Sequence, residues 1–415
     1  MLRRKLKGGA LYIALIISIL IGTILSVFIL LSNFNNRETI TRLSQTQLYW
    51  NLESAINLAQ SKSFVPAESH HWKKNEFNDD SIKIKKLQWG AFVLIAAETK
   101  NRHQYLQRTG LFGINSFKDT AIMVNDFGRP VNLAGTINFN GYCFLPKGTY
   151  KTTFIEGQGF SSTGDISGNI KSAPAYIPEP GKQFIEALEN CSKEISSTTD
   201  SIITNIDVVK NKFTAKTAIF QASNLHLESN NLKGNIKLII NNEVIIDKDA
   251  HLEDVLIIAK KVRIRKEFKG SLQVIASDSI IVEENSVLNY PSSLIVHKKE
   301  NTLHDGMGTI SINNNCRIEG AILCLGSKKA ETPNNIIALD KECEIYGLIY
   351  SSGYAGIQGK IAGNIFAQKL LLKTPSSVYE NHLLNCDIDS KKHSNTAVIP
   401  PLFENSKLNR CVKWL

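Results

Sequence analysis

Between Leu238 and Leu288 apolar residues return at a fixed step. Val244, Val262 and Ile280 lie 18 residues apart, and Ile246, Ile264 and Val282 keep that step two places on. Six residues earlier stand Leu238, Leu256 and Val274; six later stand Ala250, Phe268 and Ser286. Each 18-residue unit thus holds three short segments, each with an inward-type pair at alternate positions. Alternation is the period of a half-buried strand. A fixed repeat near 20 residues marks an array whose units bury their apolar faces only by stacking. Looser units follow at Ile310/Ile312 with Cys316/Ile318, Ile337/Leu339 with Cys343/Ile345, and Leu370/Leu372 with Ser376/Val378. The pattern predicts a mainly β chain built on a three-sided parallel β-helix solenoid. To it are added an N-terminal transmembrane helix, a small antiparallel β unit and one flanking helix.

The anchor is read from Ala10–Leu31, 22 residues without a charge. As a helix this run spans roughly 30 Å, the thickness of a hydrocarbon core. A secretory signal is the competing reading, but its apolar part is shorter and ends in a small-residue cleavage site. Here Leu-Leu-Ser-Asn-Phe-Asn follows instead. Arg3, Arg4, Lys5 and Lys7 precede the run, and Arg37 and Arg42 beyond it are balanced by Glu38. The positive-inside rule leaves residues 1–9 as a cytoplasmic stub and places the rest across the membrane. Ile40, Leu43, Leu48, Leu52, Ala55, Ile56 and Ala59 then recur at three- and four-residue steps, an amphipathic helical stalk over 32–60.

Residues 61–130 read as a small antiparallel β unit, with strand-like runs at Ile82–Leu87 and Ala91–Ile95. The β-helix is expected over 131–385, starting from Val131/Leu133, Ile137/Phe139 and Cys143/Leu145. A Gly/Pro-rich and helical insertion interrupts it at 146–216. There Phe184, Leu188, Cys191 and Ile195 mark one helix at about 183–196. Residues 386–415 read as a tail folding back over the final coil as a cap.

Candidate chemistry is sparse. The loop His297–Gly308, HKKENTLHDGMG, is the widest break in the spacing, and loops thrown out of a stacked array often bind. His297, His304 and Asp305 would be its ligands. His70, His71, Asp79 and Asp80 have metal-binding side chains, but adjacent residues rarely converge on one ion. No metal, cofactor or catalytic residue is assigned. Outward acids at Asp247, Asp249, Asp254, Glu283 and Glu284 raise the alternative of a polysaccharide lyase or hydrolase, whose carboxylates work in pairs. Lys248, Lys260, Arg263 and Arg265 interleave with them as on a solvated face, so the chain is not expected to be an enzyme. Seven cysteines contain no C-x-x-C. Cys316 and Cys343 share one repeat position and read as a buried stack or a disulfide; Cys386 and Cys411 flank the tail as a second possible pair. The net charge of +10 is spread as Lys pairs and carries no nucleic-acid motif.

Two families share local features with this chain. The run Gly359–Leu372, GKIAGNIFAQKLLL, resembles the bactofilins, bacterial polymer-forming proteins made of one three-sided β-helix. That likeness covers about residues 235–380 and implies the solenoid and self-association. The first 60 or so residues resemble type IV pilins and pseudopilins: a basic leader ending in Gly8-Gly9, then a helix apolar first and amphipathic after. The Glu that most such proteins carry five residues after the cleaved Gly is here Ile13 or Ala14. Together they imply a single-pass protein of a bacterial inner membrane, its C-terminal domain periplasmic or extracellular. Its partners would be membrane lipid through 10–31, further copies of itself, an envelope polymer such as polysaccharide, or a secretion or pilus-like assembly.

Overall fold

The computed structural model describes residues 9–61, 72–74, 80–117, 119–164, 166, 169–193, 201–298, 307–326, 335–392, 398–404 and 406–415. The basic stretch 1–8, and with it the leader, lies outside them.

The helix α1 (Gly9–Gln60) joins the apolar run and the stalk into one rod of 52 residues, about 78 Å long at the rise of an α-helix. It contains no proline, and its Ser and Thr hydroxyls bond back within the helix, as Ser18 to the Ala14 carbonyl at 2.9 Å. Its apolar part has a mean hydropathy of 2.9 and is wholly exposed. A helix of that length and composition is able to cross a membrane, a property that signal sequences share. Leu48, Leu52, Ala55, Ile56 and Ala59 are buried against Ile84, Val93, Ile95, Ala97 and Phe112.

Those partners belong to an antiparallel sheet. Its strands run Lys73–Lys74, Ser81–Trp89, Phe92–Lys100 and Tyr105–Asn115. Its last edge is completed from far along the chain by Val398–Ile399 and Arg410–Trp414, both paired to Tyr105–Asn115. The tail is therefore part of this sheet, and the expected cap over a final coil is corrected. Two strands hold the segment because Tyr105–Asn115 otherwise offers an open ladder edge.

The rest is a parallel stack in which the 18-residue period becomes hydrogen-bonded register. Val244 pairs with Val262, Val262 with Ile280, Ile280 with Ile310 and Ile310 with Ile337. All five are buried in one apolar core. A closed ring of six parallel strands lies within the stack. It runs from Lys269–Val282 through Val287–His297, Arg317–Leu325, Glu344–Gly356, Asn335–Leu339 and Gly308–Ile312 back to its start. Closure is possible because the long members turn a corner: Lys269–Ala276 bonds one neighbour, Ser279–Val282 another. Further parallel strands extend the stack on both sides.

At one corner Gly320, Gly347 and Gly363 are in register. A Cβ on Gly347 would come within 1.8 Å of the Gly320 carbonyl oxygen, and its φ is +142°. At another, Glu267, Asn285, Asn315 and Glu342 all take left-handed φ, between 57° and 65°.

Four expectations change. Ile257, not Leu256, lies between Leu238 and Val274, because a bulge at Asp254 (φ +61°) inserts one residue. Ala355 forms a layer between Ile337 and Leu370 that the spacing did not reveal. Ser376 and Val378 leave the core: Val378–Glu380 folds back antiparallel on Leu371–Lys373, and Ile388 takes the next place beside Ile361. The residues 131–145 do not begin the stack at its 201–211 end. Thr120–Val124 pairs with Ile365–Ala367, and His382–Asp389 pairs with Val131–Asn140. Residues 170–172 continue past them, so the supposed insertion at 146–216 contains strands from both ends of the stack. The helix α2 (Lys182–Lys193) belongs to the connection between those ends.

Candidate functional site

Of the three loop residues, His304 and Asp305 lie outside the described residues. His297 ends its strand with its side chain mostly buried, and its Nε2 is 3.8 Å from Glu189 Oε1 on α2. It therefore faces the flanking helix. His70, His71 and Asp79 are also outside; Asp80 accepts a 2.6 Å bond from Asn51 Nδ2 and fastens α1. Among the described residues no three His, Cys, Asp or Glu side chains are arranged to hold a metal ion.

The cysteines are thiols in separate settings. Cys316 donates to the Glu283 carbonyl at 3.2 Å and Cys343 to that of Asn313 at 3.2 Å. Burial pushes their thiols up to about 11 and about 12. Cys386 is in the stack's core beside Ile137, whereas Cys411 is in the antiparallel sheet opposite Phe112, so the structure does not bring that pair together. Buried thiols of raised pKa supply little thiolate and are inert.

The outward acids are dispersed among cations. Asp247 meets His226 at 2.8 Å and Arg265 at 3.8 Å; Glu283 meets Arg263 at 3.4 Å. Asp254 is buried, 2.7 Å from Lys413 Nζ.

Two features that sequence reasoning passed over organise the molecule. The first is the joint between sheet and stack. The turn after Trp89 inserts Gly90, where any Cβ would meet Gln273 Oε1 at 2.3 Å. Gln273 Oε1 accepts from Ala91 N at 3.1 Å and from the Ser293 hydroxyl, while its Nε2 donates to the Pro291 carbonyl at 2.8 Å. Trp89 Nε1 donates to the Asp254 carbonyl at 3.3 Å. Lys413 lies beside Asp254 and Glu253, and Glu253 also pairs with Lys233 at 2.6 Å. Burial raises the Asp254 carboxyl above its ordinary range against the pull of Lys413, and the hydrogen bond from Lys233 holds Glu253 below its own. A Gly-Ala turn and an isolated Gln carry no signal in a periodicity reading.

The second is the face of α1 turned away from the sheet. Ile40, Leu43, Trp50 and Leu58 are exposed there, and Gln47, Ser54 and Asn57 fall among them. No charged residue interrupts this stripe, although Arg42 and Glu53 lie on adjoining faces. Large exposed apolar residues on one stripe mark a contact surface.

No known family, curated protein or solved structure matches this chain, and the bactofilin and pilin likenesses rest on the residues that carry them.

Proposed function

We propose that the chain is a membrane-anchored structural protein of the bacterial envelope. It holds a rigid three-sided parallel β-helix outside the bilayer and assembles through its helix. The observation that carries this reading is α1 itself: one continuous helix, its first half wholly exposed and its second half built into the body. Such a helix transmits the position of the membrane directly to the stack, with no flexible linker between. The registers Val244–Val262–Ile280 and Leu294–Ile322–Ile349 support a stiff rod with about 4.8 Å per layer. The pairing of the outward acids with Lys, Arg and His supports a scaffold over a hydrolase, which needs a carboxylate pair kept free for a glycosidic bond.

The uncharged stripe Ile40–Leu43–Trp50–Leu58 supports assembly by helix packing, the pseudopilin-like variant of the proposal. Photo-crosslinking in cells tests it: a reactive side chain at Leu43 or Trp50 captures a neighbouring helix, whereas one at Leu52 captures only this chain's own sheet. Recovery of the chain in the soluble fraction, cut within residues 10–31, would overturn the anchor. For the variant, loss of residues 1–8 or 1–9 with methylation of the new terminus supports it, and an intact Met1 removes it.

A further inference from the structure

The segment Val398–Leu415 touches every part of the body. Val398 exchanges hydrogen bonds with the Tyr290 hydroxyl of the stack at 3.0 and 3.2 Å. The Leu402 carbonyl accepts from Gly181 N at 2.8 Å, just before α2. Phe403 packs on Phe117, Tyr350 and Phe366, with centroids 5.2–5.9 Å apart. The strand Arg410–Trp414 then lies between the stack and α1. A bulge between Cys411 and Lys413 turns consecutive side chains to the same side. Val412 and Lys413 thereby face the stack, where Lys413 reaches Asp254 and Glu253. Cys411 and Trp414 face the other way. Cys411 and Leu408 pack in the cluster that seats α1, and Trp414 meets Phe112 edge-on at 5.6 Å. Arg108 lies 3.6 Å over the Trp414 ring and bonds Glu53 of α1.

We propose that Arg410–Trp414 is a releasable latch that couples the seating of α1 to the stack: strand docked, helix seated; strand off, helix loose. The latch has the marks of a marginal element. It is a five-residue edge strand with Arg410 and Trp414 exposed, and it adds to Tyr105–Asn115 from about 300 residues away. Its ionic anchor is imperfect, since Asp254 Oδ1 is buried with no hydrogen-bond partner. Such an element opens at lower free energy than the doubly covered core of the stack. Once it opens, α1 loses Leu408, Cys411 and the Arg108–Trp414 stack together. The unsupported helical segment then frays, because a short helix without packing is marginal in water.

Hydrogen exchange on the full chain in detergent micelles tests the coupling. Lys413→Glu sets a carboxylate against Asp254 and Glu253. Exchange is expected to rise at least tenfold at residues 411–415, at Gly110–Gly113 and also at Leu52–Ala59 of α1. Linkage requires reciprocity: Ala55→Asp, which disturbs the seat from the helix side, raises exchange at 411–415 by a similar factor. Trp414→Ala, a milder change, gives the same paired response at smaller size. Responses confined to the mutated element overturn the proposal. So does an equal rise at Val262 and Ile280, which would mean that latch, helix and stack unfold only as a whole.

Discussion

At the scale of single residues the stack is controlled by its corners. Gly347 is held at φ +142° with a carbonyl oxygen of the next layer where a Cβ would be. Gly347→Ala is therefore expected to lower stability by about 3 kcal/mol or more, read from the urea midpoint. Glu267 and Glu342 occupy left-handed corners that Asn fills at Asn285 and Asn315. Replacing either Glu by Asn is expected to stabilise by about 0.5 kcal/mol, because Asn tolerates that conformation better. Asp254 makes a pH-dependent prediction. Its folded pKa is raised by burial, so the folded state binds that proton more tightly than the unfolded chain does. Its contribution to stability grows as pH falls from the folded pKa towards the unfolded value near 4, and is lost as pH rises through the folded value. Asp254→Asn removes this slope, so the variant should gain on the wild type between pH 4 and pH 7. A difference independent of pH across urea melts in that range would refute the assignment. None of these corner residues was legible in the sequence, since positive φ and a Cβ-sized gap leave no trace in hydropathy.

Elements were legible where one apolar face alternates without interruption. Val244, Val262 and Ile280 are such a column. The neighbouring face was misread by one residue, because Val255, Leu256 and Ile257 are all buried: the stack's core covers one side and the antiparallel sheet and tail the other. A strand covered on both sides loses its alternation, and the bulge at Asp254 hides in that apolar run. Ala355 escaped notice because a small side chain fills its layer. The second half of α1 follows its heptad-like stripe, and its energetics divide by face. Leu52→Ala should cost about 2–5 kcal/mol, as for other buried leucines. Trp50→Ala should change the stability of the isolated chain by no more than about 0.5 kcal/mol. Denaturant unfolding of the two variants in the same detergent checks the contrast.

Over the whole molecule, distant stretches complete each other. Thr120–Val124 and Val131–Asn140 are roofed by strands from 365 onwards, and Tyr105–Asn115 by strands from 398 onwards. Periodicity finds repeats but cannot say which repeats touch, so the order of layers was invisible beforehand. Deleting residues 382–389 should raise hydrogen exchange at Val131–Asn140 at least tenfold while Val244–Ile280 keeps its protection. Contacts so remote in sequence also imply slow folding relative to a chain of local hairpins.

The connection from Ser172 to Ser201 deserves one last consequence, because it joins the two outermost layers of the stack. The single column from Phe220 to Ile170 stretches roughly 50 Å at strand spacing. That strap of fewer than 30 residues, part of it wound into the 12-residue α2, must bridge the whole distance. Duplicating a repeat, the usual way such arrays grow over evolutionary time, would outrun it after only a few additions. The tether acts as a built-in ruler, and descendants of this chain can lengthen only if it lengthens too.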